Sequence, residues 1–241
     1  MEIKLDLHTH TSFSPHAYST LMENITVAYE KGLEAIAMTN HGPSTEDFSH
    51  EWHFVNFKAI PRKVKDVLVF KGVEATYTDI EGNLDMSNDM LKKMDIVIAS
   101  CHSAFVCDKT NYVETLVNVM KNPYVDILGH IARRNFTLSD EECDIIAKAA
   151  KENYKLVELN SSCFERNKES VHENCKNLMI ACKNNKTPIV VNSDAHFCTF
   201  VGEFNKPLKL LEEIGFDENL IMNTSLEKFM NYIGKKKNID I

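Results

Sequence analysis

Apolar residues fall along this chain in short runs, and most of these runs end in a side chain able to hold a metal. The first run alternates Leu5 and Leu7 with Asp6, as a strand does, and then breaks into His8-Thr9-His10, with His16 just beyond Ser14-Pro15. Residues 33–39 predict a second strand ending in Asn40-His41, and 67–73 a third, almost continuously apolar, ending in Glu74. Later runs at 95–100, 125–129, 156–159 and 188–192 end in Cys101-His102, His130, Asn160 and Ser193-Asp194-Ala195-His196. Between them the spacing predicts helices over 21–31, closed by Gly32, and over 58–65, 112–121, 140–153, 168–184, 207–214 and 226–233. Ser139 and Glu142 form a capping box for the helix at 140–153, and residues 79–84 read as a turn or hairpin insertion.

Seven strands alternating with helices, several of them apolar on both faces, predict an α/β fold with a parallel sheet and helices outside. An open sheet places its site at one switch point, whereas a barrel brings every C-terminal strand end onto one ring. Polar residues follow all seven strands, so the barrel is expected. The 241 residues suit one domain spanning 1–241, with no linker to divide it.

Composition narrows the setting. No run of eighteen or more apolar residues and no leader-like start are present, which predicts neither a membrane span nor a signal peptide. Seven cysteines without a Cys-x-x-Cys pair predict reduced thiols in a cytoplasm. The formal charge of −8 disfavours a nucleic-acid-coating surface, although three divalent ions would bring it to −8 + 6 = −2.

The strand-end ligands in order are His8, His10, His16, His41, Glu74, His102, His130, Asp194 and His196, and they include seven of the ten histidines. On an extended backbone His8 and His10 point to one side. Imidazole and carboxylate without thiolate suit zinc, manganese or iron. Nine side chains exceed the needs of one or two tetrahedral ions, so three divalent ions sharing a bridging carboxylate are expected.

These motifs resemble the PHP (polymerase and histidinol phosphatase) family of metal-dependent phosphoesterases. Asp6-Leu7-His8-Thr9-His10-Thr11, Thr39-Asn40-His41-Gly42, Gly72-Val73-Glu74-Ala75 and Asn192-Ser193-Asp194-Ala195-His196 carry the likeness. Trp52-His53-Phe54, Pro61-Arg62, Glu158-Leu159-Asn160-Ser161-Ser162, Glu173-Asn174-Cys175 and Gly202-Glu203-Phe204 point to the YcdX-like phosphatase branch. The resemblance implies a distorted seven-stranded (β/α) barrel with three metals, usually zinc. His8, His10, Glu74 and Asp194 would hold one ion, Glu74, His102 and His130 the second, and His16, His41 and His196 the third. It implies a phosphatase that hydrolyses phosphate monoesters with a metal-bridging hydroxide, with Asp194 and Glu74 catalytic. Arginine's fork suits phosphate oxygens not bound to metal, and the candidates are Arg133 just after His130, Arg62 in the loop region after the second strand, and Arg166 after the sixth.

Three departures are Asn40, where the family commonly has aspartate, Ile131, where it has proline, and a small-residue swap inside Ser193-Asp194-Ala195-His196, which is expected to be harmless. The expected partner is a small-molecule phosphate ester, with nucleic acid disfavoured and a homo-oligomer left open. The alternatives are a phosphodiesterase or nuclease, a histidinol phosphatase, and a zinc-binding protein without catalysis. Elsewhere, His50 and His172 read as surface histidines, His53 as a packed or site-covering ring, Cys101 as core, and Lys235-Lys236-Lys237 as a solvated tail.

Overall fold

Strands that are apolar on both faces need cover on both, and here they find it by curling into a ring with helices outside. The computed structural model describes residues 1–45, 49–102, 108–165, 168–234, 237 and 239. The strands are β1 (Leu5–Thr9), β2 (Ala35–Met38), β3 (Lys63–Val64), β4 (Val67–Thr76), β5 (Ile96–Ser100), β6 (Ile127–Leu128), β7 (Leu156–Asn160) and β8 (Ile189–Asn192). The helices are α1 (Leu21–Glu30), α2 (Glu51–Val55), α3 (Asn88–Leu91), α4 (Tyr112–Lys121), α5 (Asp140–Glu152), α6 (Glu169–Asn185), α7 (Asn205–Glu213) and α8 (Leu226–Ile233).

Parallel pairing runs β1-β2-β4-β5-β6-β7-β8. The two ends meet at the top, where Asp194 N–H donates to the His8 carbonyl and His10 N–H to the Ala195 carbonyl, both at 2.9 Å. Lower down, asparagines seal the same seam. Asn192 Oδ1 accepts from Leu7 N–H at 3.0 Å, and Asn223 Nδ2 donates to the Leu5 and Val191 carbonyls at 2.9 and 2.7 Å. The result is a nearly closed barrel of seven parallel strands, the α/β architecture expected.

Two apolar clusters follow from strand alternation. Leu5, Ala35, Phe70, Ile98, Leu156 and Val190 fill the barrel, with Phe229 and Ile233 of α8 plugging its N-terminal end. Ile36, Val69, Val97, Val157 and Val191 face the helical layer. Each large side chain so buried contributes about 1.5–3 kcal/mol relative to exposure, so this packing holds the strand ends in place. Gly129 permits a close approach here, because a Cβ would lie 2.1 Å from Ser100 Oγ.

Three expectations are corrected. Residues 58–65 do not form a helix: a 3₁₀ turn, Asn56–Ala59, ends at extended Ile60, and β3 then pairs antiparallel with β4. Pro61 explains the break, since proline pushes the residue before it out of helical geometry. Cys101 is buried as expected but is disulfide-bonded, whereas Cys143, Cys163, Cys175, Cys182 and Cys198 are free. Sequence spacing says nothing about the Cα separation that decides a disulfide. Lys237 is not solvated, because its ammonium donates to the Asp126 carboxylate; Lys235 and Lys236 lie outside the described residues. The hairpin at 79–84 forms around Gly82 at φ +82°, and both members of the Ser139–Glu142 capping box are present. Among the described residues no helix is long and apolar enough to cross a membrane.

Candidate metal centre

Alternation carries inward-facing positions up each strand to a ligand: Phe70 to Glu74, Ile98 to His102, Val190 to Asp194. In β1 parity alone fails, because Leu5 and Leu7 face the barrel interior and the even-numbered His8 and His10 should therefore face the helical layer. A register shift between Asp6 and Thr9 turns the two histidines back inward. His130 and Asp194 sit at positive φ, +32° and +58°, which aims both side chains off the ends of their strands. Such conformations cost about 1–3 kcal/mol each and persist where the surroundings enforce them.

Glu74 lies at the middle of the basin with no exposed surface. Its Oε1 is 2.7 Å from His130 Nε2, 3.3 Å from His102 Nε2 and 3.4 Å from His8 Nε2. Its Oε2 is 2.9 Å from His41 Nδ1 and 3.4 Å from His10 Nε2. Asp194 Oδ1 lies 3.5 Å from His8 Nε2 and 3.2 Å from His10 Nε2. His196 Nε2 and His16 Nε2 face each other at 2.7 Å, and the His16 and His41 rings are 5.1 Å apart. All nine predicted ligands therefore converge.

Three triads hold their donor atoms within 4.8 Å of one another: His8, His10 and Asp194; His41, Glu74 and His102; and His10, His41 and His196. The first falls inside one of the expected ligand sets, while the second brings His41 to Glu74 and His102 and the third brings His10 to His41 and His196, so each mixes two sets.

The donors fit divalent cations. His8, His102 and His196 each engage the protein with Nδ1, through Glu158, Thr76 Oγ1 and the Asp194 carbonyl at 2.8, 2.8 and 2.9 Å, which leaves Nε2 for the basin. Glu74 Oε2 and His102 Nε2 are buried without a hydrogen bond. Burial alone would raise the Glu74 and Asp194 pKa values, but His102, His8 and His41 around Glu74, and His8 and His10 around Asp194, hold both well below the carboxylate range. Burial, with His41 nearby, pushes His10 well down, and burial, with Arg133 nearby, pushes His130 down to about 4. The basin thus offers anionic carboxylates and, at His10 and His130, neutral imidazoles, the protonation states that ligate, while His8, raised by Glu158, Glu74 and Asp194, gives up a proton when it binds an ion.

Beneath it lies Glu158, which the sequence reading quoted only within a motif. Oε1 holds His8 Nδ1 and Asn192 Nδ2, both at 2.8 Å, and Oε2 accepts from His130 N–H at 2.7 Å and Asn160 Nδ2 at 3.0 Å. One buried carboxylate therefore orients ligands from β1 and from the end of β6. Its signal was the inward-facing even position below Asn160. Glu158→Gln should lower metal affinity or activity about 10–100-fold with the fold intact; metal titration with circular dichroism checks this, and parental affinity would show that Glu158 orients nothing.

The arginines separate. Arg133 lines the basin, with Nη1 3.3 Å from Ser162 Oγ and 3.5 Å from Asp194 Oδ2. Arg62 is not brought there: it pairs with Asp95 at the N-terminal end of β5, away from the ligand ring. Arg166 lies outside the described residues. His50 caps α2, His172 stacks on Phe164 with ring centroids 5.8 Å apart, and His53 binds Asn40 Nδ2 at 3.0 Å and stacks on Phe13. Asn40 accepts from Thr11 N–H at 2.8 Å, so it knits two ligand-bearing loops where a carboxylate would have stood. The Ile131 carbonyl accepts from Tyr112 Oη at 2.6 Å, which sets that loop's path without proline.

Acid should destabilise the metal-free protein. His53 and His130 fall from the ordinary 6.5 to about 4, and His10 and His196 are also lowered, all chiefly by burial. A group with a depressed folded-state pKa stabilises fully above its unfolded value and loses that as pH falls. Asp6, raised by burial to about 6, and Asp85, raised by burial, act in the opposite sense, but four histidines outweigh two carboxylates. His8, raised by Glu158, Glu74 and Asp194 against its own desolvation, contributes fully below 6.5. The Tm of chelated protein should fall from pH 6.5 towards 4.5; a flat or rising Tm in calorimetry would refute this.

A parallel barrel that delivers imidazoles, carboxylates and an arginine to one basin has the groups of a hydrolase, and the relatives of this chain put it in the phosphatase class. The chain belongs to the PHP domain family, which matches residues 6–162. It is 42% identical over 242 residues to a probable phosphatase of Thermoanaerobacter sp., covering 98% of this chain and 97% of the relative. A probable phosphatase of Clostridium botulinum is 41% identical over 248 residues, covering 100% of both. The fold is similar to that of histidinol phosphate phosphatase from Lactococcus lactis, solved with zinc, L-histidinol and phosphate. That similarity has a TM-score of 0.61 at 18% identity and covers 90% of this chain and 95% of the other.

Proposed function

We propose that this protein hydrolyses phosphate monoesters at a centre of three divalent ions, zinc first among the candidates. The observation that carries this reading is the basin itself: nine candidate ligating groups after six strand ends, all but the exposed His16 buried or half-buried, with Arg133 beside them. Bound divalent ions would supply Lewis acidity, lowering the pKa of water and neutralising charge on the phosphoryl group.

The chain's own groups do the rest. Glu74 presents each oxygen to a different set of histidines, as a bridging carboxylate must. Asp194 turns Oδ1 to His8 and His10 and Oδ2 to Arg133 and Ser162, so it can orient the attacking water and receive its proton. Arg133 can grip phosphoryl oxygens through its planar fork. Five free thiols support a cytoplasmic setting, and the Cys101 disulfide counts against it.

The likeness to the Lactococcus lactis enzyme keeps histidinol phosphate as a second candidate, on fold alone. Elemental analysis with phosphate-release assays tests the proposal. We expect three ions per chain and orthophosphate from a simple monoester. Two or fewer ions in fully loaded protein would remove the third site, and cleavage confined to diesters would remove the monoesterase.

A further inference from the structure

Three large aromatic side chains stand exposed at the cavity that holds the ligands. Tyr18, Phe197 and Phe200 line this space of about 1140 Å³ and are 75%, 45% and 47% exposed. Phe13, also exposed, has His53 to stack on, with centroids 4.1 Å apart. None of the three has an aromatic partner of its own among the described residues.

Their backbone is fastened to the ligand loops. Tyr18 lies two residues past His16 and donates its N–H to the His196 carbonyl at 2.8 Å; Phe197 directly follows His196. Cys198 N–H donates to Ser19 Oγ at 2.8 Å, a second stitch between the two loops. From behind, Lys31 Nζ donates to the Thr199 and Val201 carbonyls at 3.1 and 2.7 Å. Gly202, at φ +74°, donates its N–H to Asp6 Oδ2 at 2.9 Å. A turn pinned from three sides fixes the backbone that carries Phe197 and Phe200, so little main-chain ordering is left for a ligand to impose.

We infer that Tyr18, Phe197 and Phe200 form a leaving-group subsite that selects monoesters of flat aromatic or heteroaromatic alcohols. The inference rests on the monoesterase reading above. A planar ring can stack against such side chains, whereas a polyol or a puckered ring cannot do so equally well. The ester phosphate, held at the ligand basin, would leave its alcohol pointing to this rim of the same cavity.

The test compares kcat/KM of the metal-loaded protein for benzyl, cyclohexylmethyl and glycerol phosphates. The first two share size and differ in flatness. The parent should prefer benzyl over cyclohexylmethyl phosphate by about tenfold or more, and Phe197→Leu and Phe200→Leu should each shrink that ratio roughly three- to tenfold, mainly through KM. Leucine keeps apolar bulk and loses the flat face, and circular dichroism with metal content confirms folding. Release of phosphate from all three esters without preference overturns the subsite and leaves the monoesterase standing. No release from any ester overturns both. Equal loss on all three substrates, with a fall in molecular mass by light scattering, would assign the rings to contact between copies of the chain.

Discussion

Glu74→Gln should abolish phosphate release, by about 10³-fold or more, and should remove ions from more than one position at once. The carboxylate is fully buried, and its two oxygens face different histidines: His130, His102 and His8 on one side, His41 and His10 on the other. The amide keeps the shape but replaces one carboxylate oxygen with an N–H donor aimed at lone pairs, so one side loses its acceptor, the other keeps only a neutral carbonyl, and the basin loses a negative charge. Elemental analysis of purified, folded variant decides the matter. Loss of a single ion would mean that Glu74 serves one site, and full occupancy would mean that it holds none.

Arg133→Ala should leave metal content unchanged and lower kcat/KM on a monoester by about thirty- to a thousandfold, equivalent to roughly 2–4 kcal/mol. The guanidinium is tethered three residues past His130 and reaches the cavity beside Asp194 and Ser162. Lysine should restore only part of the loss, since it keeps the charge and gives up the fork. Arg62 offers no substitute from its place beside Asp95 at the other end of β5. Parental rates in metal-replete Arg133→Ala would make the residue a bystander and leave phosphate orientation to the ions alone.

The strand ends were legible because two periodicities meet there. Six of the seven apolar runs of strand length stop at a side chain able to hold a metal, and a parallel barrel must bring those ends to one rim, so the nine candidate ligands and their convergence could be read without coordinates. The Ser139–Glu142 cap was legible for a similar reason: it is a local pattern with a local cause. What the sequence by itself determined is therefore the set of chemical groups and the end of the barrel they occupy.

Only the tertiary structure decided how these groups face one another. The register shift in β1 turns His8 and His10 inward against the parity of Leu5 and Leu7, and parity along a strand is blind to a bulge. Glu158 looks like an ordinary buried strand residue until β1, β6 and β8 close around it, because its partners lie 150, 28 and 34 positions away. Arg62 and Arg133 both follow strands, yet one meets an aspartate at the base and the other reaches the mouth. Cys101 departed from expectation for the same reason. Spacing along a chain fixes which side of its own element a residue faces, while distances between elements are set by how the whole barrel packs.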